Sequence, residues 1–321
     1  MTAGVAHPQY LWWDGELVPW QDATVHVTQM HWSAVSAIFE GIMAYWNDEQ
    51  EELFVFRLDA HLERLLRSQK MMRMRQDYTV KQLTDAITHL LRVNDHRSDT
   101  YVFPYAYPAG GQRFRSFASA TDLGAAQIMV TTRPSASHLL KNQLQHACTS
   151  TWTRISDNVM PPRIKNIANY RNGQLASAEA SINGYDTAIL LNAQGKVAEG
   201  GGACLMMVRD GKLITPTGTD SILESITRAS MMELAKGLGI EVVERTMDRT
   251  ELYIADEVFF CGTAAEITPI ASVDRYVVGD GTLGPVTTEL EKLFHDIVRG
   301  KNSQYASWAT PVGAAKAVPA D

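Results

Sequence analysis

The chain has 321 residues, of which 45% are hydrophobic and 20% charged, as expected for a folded protein of about two domains. Acidic residues outnumber basic ones by 36 to 29, so no basic surface for binding nucleic acid is expected. No Lys or Arg precedes Arg57 and polar residues interrupt every apolar run, which predicts a cytoplasmic protein without a signal peptide or a membrane partner. The three cysteines, Cys148, Cys204 and Cys261, are widely spaced and predict neither disulfides nor a metal site.

The first half of the chain contains both strand and helix patterns. Short apolar runs separated by turn signals predict strands and hairpins between residues 10 and 56. Apolar residues at helical spacing then predict two helices, over about 59–72 and 80–91. Further strands are expected at 101–107 and 127–132. A proline and two serines interrupt the pattern after residue 133, which predicts a small domain over 1–133, a linker over 134–144 and a larger domain over 145–321.

The second half is rich in hairpins. One helix is expected with an apolar stripe of Leu175, Ala178 and Ile182, and the tail after Gly300 is expected to be irregular and to pack through Trp308 at most. Because consecutive hairpins stand beside a few helices, the predicted fold class is α+β with two domains. The remaining predicted strands are 147–153, 187–191, 196–198, 205–208, 213–215, 241–245 and 258–261, and the remaining helices are 225–238 and 285–299.

One glycine motif suggests a dinucleotide site. Residues 279–284 match G-x-G-x-x-G, follow a short apolar run and precede a helix. A dinucleotide site also needs a second strand with an acidic residue about 20 positions further on. The chain offers a helix and then an irregular tail, so we interpret the motif as a turn before a helix.

Two residues could carry the chemistry of a carbonyl-binding cofactor. Lys165 lies between short apolar residues and is followed by Asn169 and Tyr170, and a desolvated lysine amine can attack a carbonyl. Glu199 ends a predicted strand and runs into three glycines, so its carboxylate could face a flat ligand and pair with a pyridinium nitrogen. Taken alone, each pattern is also that of a solvated surface residue.

Two short segments could hold a phosphate. Ser225-Ile226-Thr227 starts a predicted helix, and Gly262-Thr263-Ala264-Ala265 follows a predicted strand. Helix amino-terminal amides and small-residue turns attract anions, although either segment could also be an ordinary cap or turn. Arg64 could add a bidentate charge, although a lone helical arginine is usually solvated.

These residues together resemble the class IV aminotransferases, and most of all the branched-chain amino-acid aminotransferases. The similarity covers about residues 10–300 in the right order, and the stretch 251–269 is the most specific part. The matching runs are Phe39-Glu40-Gly41, His61-Leu62-Glu63-Arg64-Leu65, Lys165 with Asn169-Tyr170, Glu199-Gly200, Ile226-Thr227-Arg228, Ala255-Asp256-Glu257-Val258 and Gly262 through Pro269.

The resemblance implies a homodimeric enzyme of fold type IV, like D-amino-acid aminotransferase, that binds pyridoxal phosphate between its two domains. Lys165 then matches the Schiff-base lysine, which moves a proton between the substrate and the cofactor. Glu199 matches the partner of the pyridine nitrogen, and Tyr170 matches the hydroxyl beside the cofactor's phenolic oxygen. The residues that match the phosphate site are Arg64, Ile226, Thr227 and Thr263.

The implied substrate pocket includes Phe39, Tyr101, Phe103 and Ala264, and here the chain departs from the family. Ala34 replaces a tyrosine, while Phe103 and Met43 replace two arginines. Fewer guanidinium groups remain to bind a substrate carboxylate, and the apolar lining is larger. Arg113 and Arg115, in the loop after Gly110-Gly111, are the candidate carboxylate ligands, although both could be solvated loop charges.

The predicted function is therefore a pyridoxal-phosphate-dependent transamination between a hydrophobic amino acid or (R)-amine and a 2-keto acid, with a drift toward (R)-selective amine transaminase. The alternatives within the family are an ordinary branched-chain or D-amino-acid aminotransferase. Two other possibilities are an aminodeoxychorismate lyase on the same fold and a binding protein without catalysis.

Overall fold

The computed structural model describes residues 7–27, 31–108 and 124–313, and the chain divides into two compact units. The first unit joins Met1–Ser137 to Asp296–Asp321, and the second is His138–His295. Strands and helices are mixed in both, which confirms the predicted α+β class. The sequence assigned 296–321 to the second domain, whereas this segment belongs to the first unit, because a strand within it pairs with the first unit's sheet.

The first unit is built on one sheet. Seven strands form the path β18-β5-β4-β7-β8-β1-β2, while β3 pairs with β7 and β6 pairs with β8. The strands are β1 Tyr10–Trp13, β2 Glu16–Pro19, β3 Ile38–Phe39, β4 Ile42–Asn47, β5 Glu52–Phe56, β6 Met74–Arg75, β7 Thr100–Pro108, β8 Gly124–Pro134 and β18 Ala309–Pro311. The helices of this unit are α1 His31–Ser36, α2 Leu58–Met71 and α3 Val80–Val93.

Strand β7 presents two different faces. Burial alternates strictly along it, so every second residue is buried and the others are half-buried. The half-buried face carries four aromatic residues, with ring centroids of neighbours 5.3 to 6.5 Å apart. We call this set the aromatic face; it consists of Tyr101, Phe103, Tyr105 and Tyr107.

The second unit contains a closed ring of six strands. β9, β10, β11, β12, β15 and β16 pair in that order, and β16 pairs again with β9. Each of the six strands contributes to one buried apolar cluster that fills the ring. The strands of this unit are β9 Gln145–Thr153, β10 Thr187–Leu191, β11 Val197–Gly200, β12 Cys204–Arg209, β13 Lys212–Thr215, β14 Val242–Glu244, β15 Glu257–Gly262, β16 Glu266–Val273 and β17 Tyr276–Val277.

Three further helices complete the chain: α4 Tyr170–Ile182, α5 Ile226–Gly237 and α6 Pro285–Val298, with the division between the units falling inside α6. Among the described residues, no helix is long and apolar enough to cross a bilayer. The three cysteines are buried and are thiols, not members of a disulfide.

The predicted stripe on α4 is wrong. The buried residues are Gly173, Ala176 and Ala180, whereas Ile182 is 85% exposed. A Cβ on Gly173 would lie 1.8 Å from the carbonyl oxygen of Gly201, so the packed face of this helix needs small residues. A pattern of large apolar side chains therefore selects the face of α4 that is not the packed one.

The glycine motif at 279–284 is a turn before α6, as interpreted from the sequence. The first amides of α6 are capped by the carboxylate of Glu257, which accepts from the Val286 amide at 2.9 Å and the Thr287 amide at 2.7 Å. A Cβ on Gly284 would lie 2.1 Å from the Glu257 carboxyl carbon. The glycine thus admits the protein's own anion to the helix terminus.

The strands β16 and β18 are among the elements that were not predicted from the sequence. Strand β16, in the middle of the ring, follows a turn and contains a proline, so it lacks a clean alternating pattern. The tail was expected to be irregular, but β18 pairs with β5 and Trp308 is only 5% exposed. The guanidinium carbon of Arg57 lies 3.7 Å from the Trp308 ring centroid, which ties the tail to the start of α2.

We expect Trp308→Ala to lower the free energy of unfolding by about 3 kcal/mol, because it leaves a cavity beneath β18 and removes the stacking of Arg57. Urea unfolding followed by circular dichroism measures this loss. The matched control is Trp152→Ala, because Trp152 is 46% exposed. Equal unfolding midpoints for the two variants would show that the tail adds nothing to stability.

Candidate active site

Lys165 lies in a loop that its own asparagines hold in place. The Asn166 side chain accepts from the Ala168 amide at 2.8 Å, and the Asn169 side-chain amide donates to the carbonyls of Pro161 and Ile164 at 3.1 and 3.0 Å. A short 3-10 helix, Ile167–Asn169, then leads directly into α4. These bonds satisfy the loop's backbone and fix the half-buried lysine in front of the helix.

Lys165 and Tyr170 are in direct contact. The lysine Nζ lies 2.5 Å from the tyrosine Oη and 5.0 Å from the centre of its ring. An amine and a phenol are both groups that can give or take a proton. The pair therefore has the chemistry of an acid/base centre.

Glu199 is buried on β11 beside an arginine that the sequence analysis missed. Its Oε1 lies 2.6 Å from Nη2 of Arg154, and its Oε2 accepts from the Leu223 amide at 3.1 Å and the Cys204 thiol at 3.7 Å. Burial raises the pKa of Glu199, while Arg154, the Leu223 amide and the charge of Lys165 oppose that rise. A further cation beside this carboxylate would favour its charged form.

The three glycines after Glu199 have different roles. A Cβ on Gly200 would lie 2.7 Å from the Phe260 ring, and one on Gly201 would lie 2.6 Å from the Ser177 hydroxyl. These two glycines are therefore required by packing within the protein. At Gly202 the nearest atom to an added Cβ is a Tyr170 ring carbon at 3.9 Å, so this residue leaves space beside the tyrosine.

Two turns come together at one end of the ring of strands. Cys204 of β12 pairs with Cys261 of β15, which places the turn before β12 beside the turn after β15. A Cβ on Gly262 would lie 3.5 Å from the Cβ of Ala203. The predicted residues Thr263 and Ala264 follow directly, Thr263 half-buried and Ala264 exposed.

The start of α5 offers backbone donors. Ser225 caps the helix by accepting from the Arg228 amide at 3.2 Å, and Thr227 is 2% exposed. The amides of Ile226 and Thr227 precede the first intrahelical hydrogen bond and have no acceptor of their own among the described residues. Such amides, at the positive end of a helix, suit an anionic group.

His138 fixes the turn that contains Ala264, and no motif predicted it. Its Nδ1 lies 2.9 Å from Glu266 Oε2, and its Nε2 lies 2.8 Å from the Ala265 carbonyl oxygen. The Ala265 carbonyl and the ionised Glu266 carboxylate are both acceptors, so the two contacts favour the doubly protonated, cationic form of the ring. The hydrogen bond to Glu266 is the largest cause that raises the pKa of His138, and Glu291 contributes a further negative charge.

A cavity of about 340 Å³ opens at the same end of the ring. Its lining is largely polar and includes the predicted residue Ala264, but Lys165 and Glu199 lie outside it. The cavity belongs to the end of the strand ring where the two turns meet. Its lining residues are His138, Gln143, Gln145, Ser177, Thr187, Gly200, Gly201, Gly202, Ala203, Phe260, Ala264, Ala265 and Thr268.

Arg64 lies in the first unit, buried in α2. Its Nε and Nη2 each donate to Glu40 at 2.7 Å, and His61 Nδ1 lies 2.8 Å from the same carboxylate. Burial opposes ionisation of Glu40, but Arg64 and His61 outweigh it and lower its pKa to about 2. The Phe-Glu-Gly run therefore holds the predicted phosphate-binding arginine in a fixed orientation.

The predicted substrate residues of the first unit lie on the aromatic face or next to it. Phe39 and Phe103 have ring centroids 5.1 Å apart, and Met43 pairs with Tyr101 across β4 and β7. A Cβ on Gly41 would lie 1.8 Å from the Tyr101 hydroxyl, which explains the glycine of this run. The two loop arginines, Arg113 and Arg115, lie outside the described residues.

The fold and these groups define an aminotransferase, and the comparisons with known proteins agree. The family model of class IV amino-transferases matches residues 37–273. The chain belongs to this family, which confirms the predicted enzyme class.

Individual relatives point in one direction. A probable branched-chain-amino-acid aminotransferase of Aquifex aeolicus is 38% identical over 94% of this chain and 96% of its own length. The structure of a branched-chain aminotransferase from Thermobaculum terrenum in its PLP form is 49% identical, covers 96% of this chain and 99% of its own, and has a TM-score of 0.92. The structure of a branched-chain aminotransferase from Thermoproteus uzoniensis with norvaline is 40% identical, covers 95% of this chain and 100% of its own, and has a TM-score of 0.88.

The donor set of the second unit fits pyridoxal phosphate, the predicted cofactor. It contains an amine for the aldehyde, a phenol beside that amine, a buried carboxylate for the ring nitrogen and free helix amides for the phosphate. The PLP form of the Thermobaculum enzyme supports the same cofactor. The described residues contain no group of three or more side chains arranged to hold a metal ion.

We expect His138→Gln to remove a pH-dependent part of the stability. The folded-state pKa is raised above the ordinary 6.5, so the ring stabilises the fold fully below that pH and loses this effect as the pH rises through the raised value. At about pH 6 the wild type should exceed the variant by about 1 kcal/mol in urea unfolding, and the difference should shrink at alkaline pH.

The matched control is His146→Gln, because the His146 ring bonds a serine hydroxyl, Ser272 Oγ at 2.7 Å, instead of a carboxylate. This variant measures the loss of an imidazole whose partner is a hydroxyl. A stability difference for His138→Gln that stays constant with pH would mean that folding does not raise the pKa of this ring.

Proposed function

We propose that the chain is a branched-chain amino-acid aminotransferase that uses pyridoxal phosphate to exchange the amino group of a hydrophobic amino acid with a 2-oxo acid. The observation that carries this proposal is the contact of Lys165 with Tyr170 in the unit that buries Glu199 against Arg154. The branched-chain relatives, which match this chain over nearly its whole length, support the substrate class. Homodimer formation and a cytoplasmic location remain predictions from the sequence.

The residues divide the work as follows. When bound, the cofactor supplies an electron-withdrawing ring that stabilises negative charge at the substrate's α-carbon. Lys165 Nζ moves a proton between that carbon and the cofactor. Tyr170 Oη forms a hydrogen bond with the lysine amine, either as donor or as acceptor. Glu199 holds a proton at the ring nitrogen, and Arg154 opposes the rise in the glutamate's pKa that burial causes.

Binding is divided between charge and apolar contact. In the second unit, the first-turn amides of Ile226 and Thr227 and the Thr263 hydroxyl are the donors for the phosphate. In the first unit, Phe39, Tyr101 and Phe103 offer the apolar surface for the hydrocarbon side chain. No group in this set is specific for a branched chain, so the relatives carry that part of the proposal.

A second candidate, transamination of (R)-amines, rests on one observation. Met43 and Phe103 occupy the two positions where the resemblance implies arginines. Met43 is 4% exposed, and the Phe103 ring packs against Phe39. Two guanidinium groups fewer would favour a substrate without a carboxylate. The branched-chain relatives nevertheless favour the first candidate.

The decisive measurement is the first half of the reaction, followed through the cofactor's visible absorption band. Leucine, D-alanine and (R)-1-phenylethylamine are added separately to the enzyme loaded with pyridoxal phosphate. We expect leucine to react at least about 100-fold faster than either of the others, because only leucine presents both a carboxylate and an apolar chain in the favoured geometry.

Faster reaction with (R)-1-phenylethylamine would establish the second candidate, and faster reaction with D-alanine a D-amino-acid enzyme. Pyruvate release from aminodeoxychorismate would show a lyase. A protein that takes up no cofactor at all would be a binding protein on this fold.

Lys165→Ala should reduce the rate of transamination by at least about 100-fold, because it removes the group that moves the proton. Borohydride treatment of the loaded wild type, followed by peptide mapping, should place the cofactor on Lys165. The control is Lys212→Ala, a surface lysine that pairs with Glu241 at 2.9 Å and should react as the wild type does. Labelling of another side chain would refute the role of Lys165.

A further inference from the structure

Arg133 shares the aromatic face of the first unit. It lies on β8 directly opposite Tyr101 of β7, and directly paired residues of antiparallel strands have their side chains on the same face. Its guanidinium carbon lies 4.8 Å from the centre of the Tyr101 ring. Arg133 is exposed, and among the described residues its guanidinium contacts the tyrosine ring rather than a carboxylate.

Arg133 also completes a row across three strands. Met43 of β4 pairs with Tyr101, and Tyr101 pairs with Arg133. Met43 is one of the two positions where the resemblance implies an arginine. Adjacent strands are about 4.8 Å apart, so the row is about 10 Å long, and the Arg133 guanidinium leans over its centre.

The other position without an arginine is near the same guanidinium. Phe103 is two residues from Tyr101 on the same face of β7, and its direct partner on β8 is Thr131, two residues from Arg133. Arg133 is thus diagonal to Phe103, and diagonal neighbours about 7–8 Å apart lie within reach of long side chains. One guanidinium can therefore serve the region that both missing arginines would cover.

We propose that Arg133 binds the carboxylate of the amino-acid and 2-oxo-acid substrates. The proposal rests on the proposed function and names the group that recognises its substrate class. A planar guanidinium stacked on a tyrosine keeps its N–H edge available for two parallel hydrogen bonds to a carboxylate. Beside it, Phe39 and Phe103 offer an apolar surface, so the ligand is a carboxylate attached to a hydrocarbon chain.

The proposal makes Arg133 the residue that separates amino acids from amines. A substrate without a carboxylate gains nothing from the guanidinium and uses only the apolar surface. Removal of Arg133 should therefore weaken the binding of acids selectively, whereas a merely structural residue would weaken the binding of both classes.

The first test measures binding without catalysis. The enzyme loaded with pyridoxal phosphate is titrated by calorimetry with 4-methylpentanoate, which has the carbon chain of leucine but no amino group. Arg133→Gln should raise the Kd at least about tenfold, and Arg133→Lys, which keeps the charge but not the fork, should give an intermediate value. Arg67→Gln is the control, because Arg67 is a solvated arginine of α2 and should leave the Kd unchanged.

The second test compares leucine with 3-methylbutylamine, which is leucine without its carboxylate. Arg133→Gln should raise the KM for leucine at least about tenfold and leave kcat/KM for the amine unchanged. The double variant Arg133→Gln with Phe103→Arg, which puts the guanidinium at the position implied by the resemblance, should restore most of the affinity for leucine.

The outcomes separate this inference from the proposed function. If the wild type neither binds 4-methylpentanoate nor transaminates leucine, the proposed function fails and the role of Arg133 fails with it. If the wild type does both and Arg133→Gln behaves like it, only the role of Arg133 is refuted. Equal losses for leucine and for the amine would also refute it, because they would indicate a structural role.

Discussion

The arrangement of the second unit depends on keeping one carboxylate charged inside the protein. Glu199 and Arg154 are 5% and 9% exposed, and moving each charge out of water costs several kcal/mol. Their contact at 2.6 Å, with the Leu223 amide as a third partner, offsets that cost. The balance remains incomplete, because burial still raises the pKa of Glu199. A protonated ring nitrogen would complete it, so the site is better satisfied with the cofactor than without it.

The closed ring of strands is what brings the dispersed residues to this carboxylate. Glu199 lies near the end of β11, and a turn joins β11 to β12. The pairing of β12 with β15 places this turn beside the turn that contains Thr263. Because a ring has no free edge, neither turn can shift without breaking pairs on both sides. Gly173 and Gly201, in contact between α4 and the loop, hold the Lys165 side of the site to the same end. Local order at the site is thus a property of the whole sheet.

Sequence patterns identified the candidate residues that lie close together along the chain. They missed the residues whose role depends on contacts that only the folded sheet creates. Lys165 and Tyr170 are five residues apart, and Glu199 is marked by its glycines, so short patterns were sufficient. In the sequence Arg154 has no distinguishing pattern, and only the fold places it, just after β9, against Glu199. The His138 ring likewise depends on two acceptors that the fold supplies, one from β16 and one from the turn before it. The same limit explains α4, where close packing selects small residues, and the tail, whose strand exists only against β5.

If Arg133 binds the substrate carboxylate, as we propose, the substrate class survives the loss of its usual residues in the first unit. The binding of a carboxylate needs a guanidinium at a suitable place, but not at a particular position in the sequence. On a sheet face, a residue on a neighbouring strand reaches nearly the same place, because strands are separated by less than the length of an arginine side chain. Phe103 and Met43 therefore do not by themselves imply an amine substrate, since Arg133 stands in the same row. A comparison of sequence motifs detects only that two arginines are absent. A comparison of the residues that share the sheet face also detects Arg133 on β8. The second comparison favours amino acids as substrates, in agreement with the relatives.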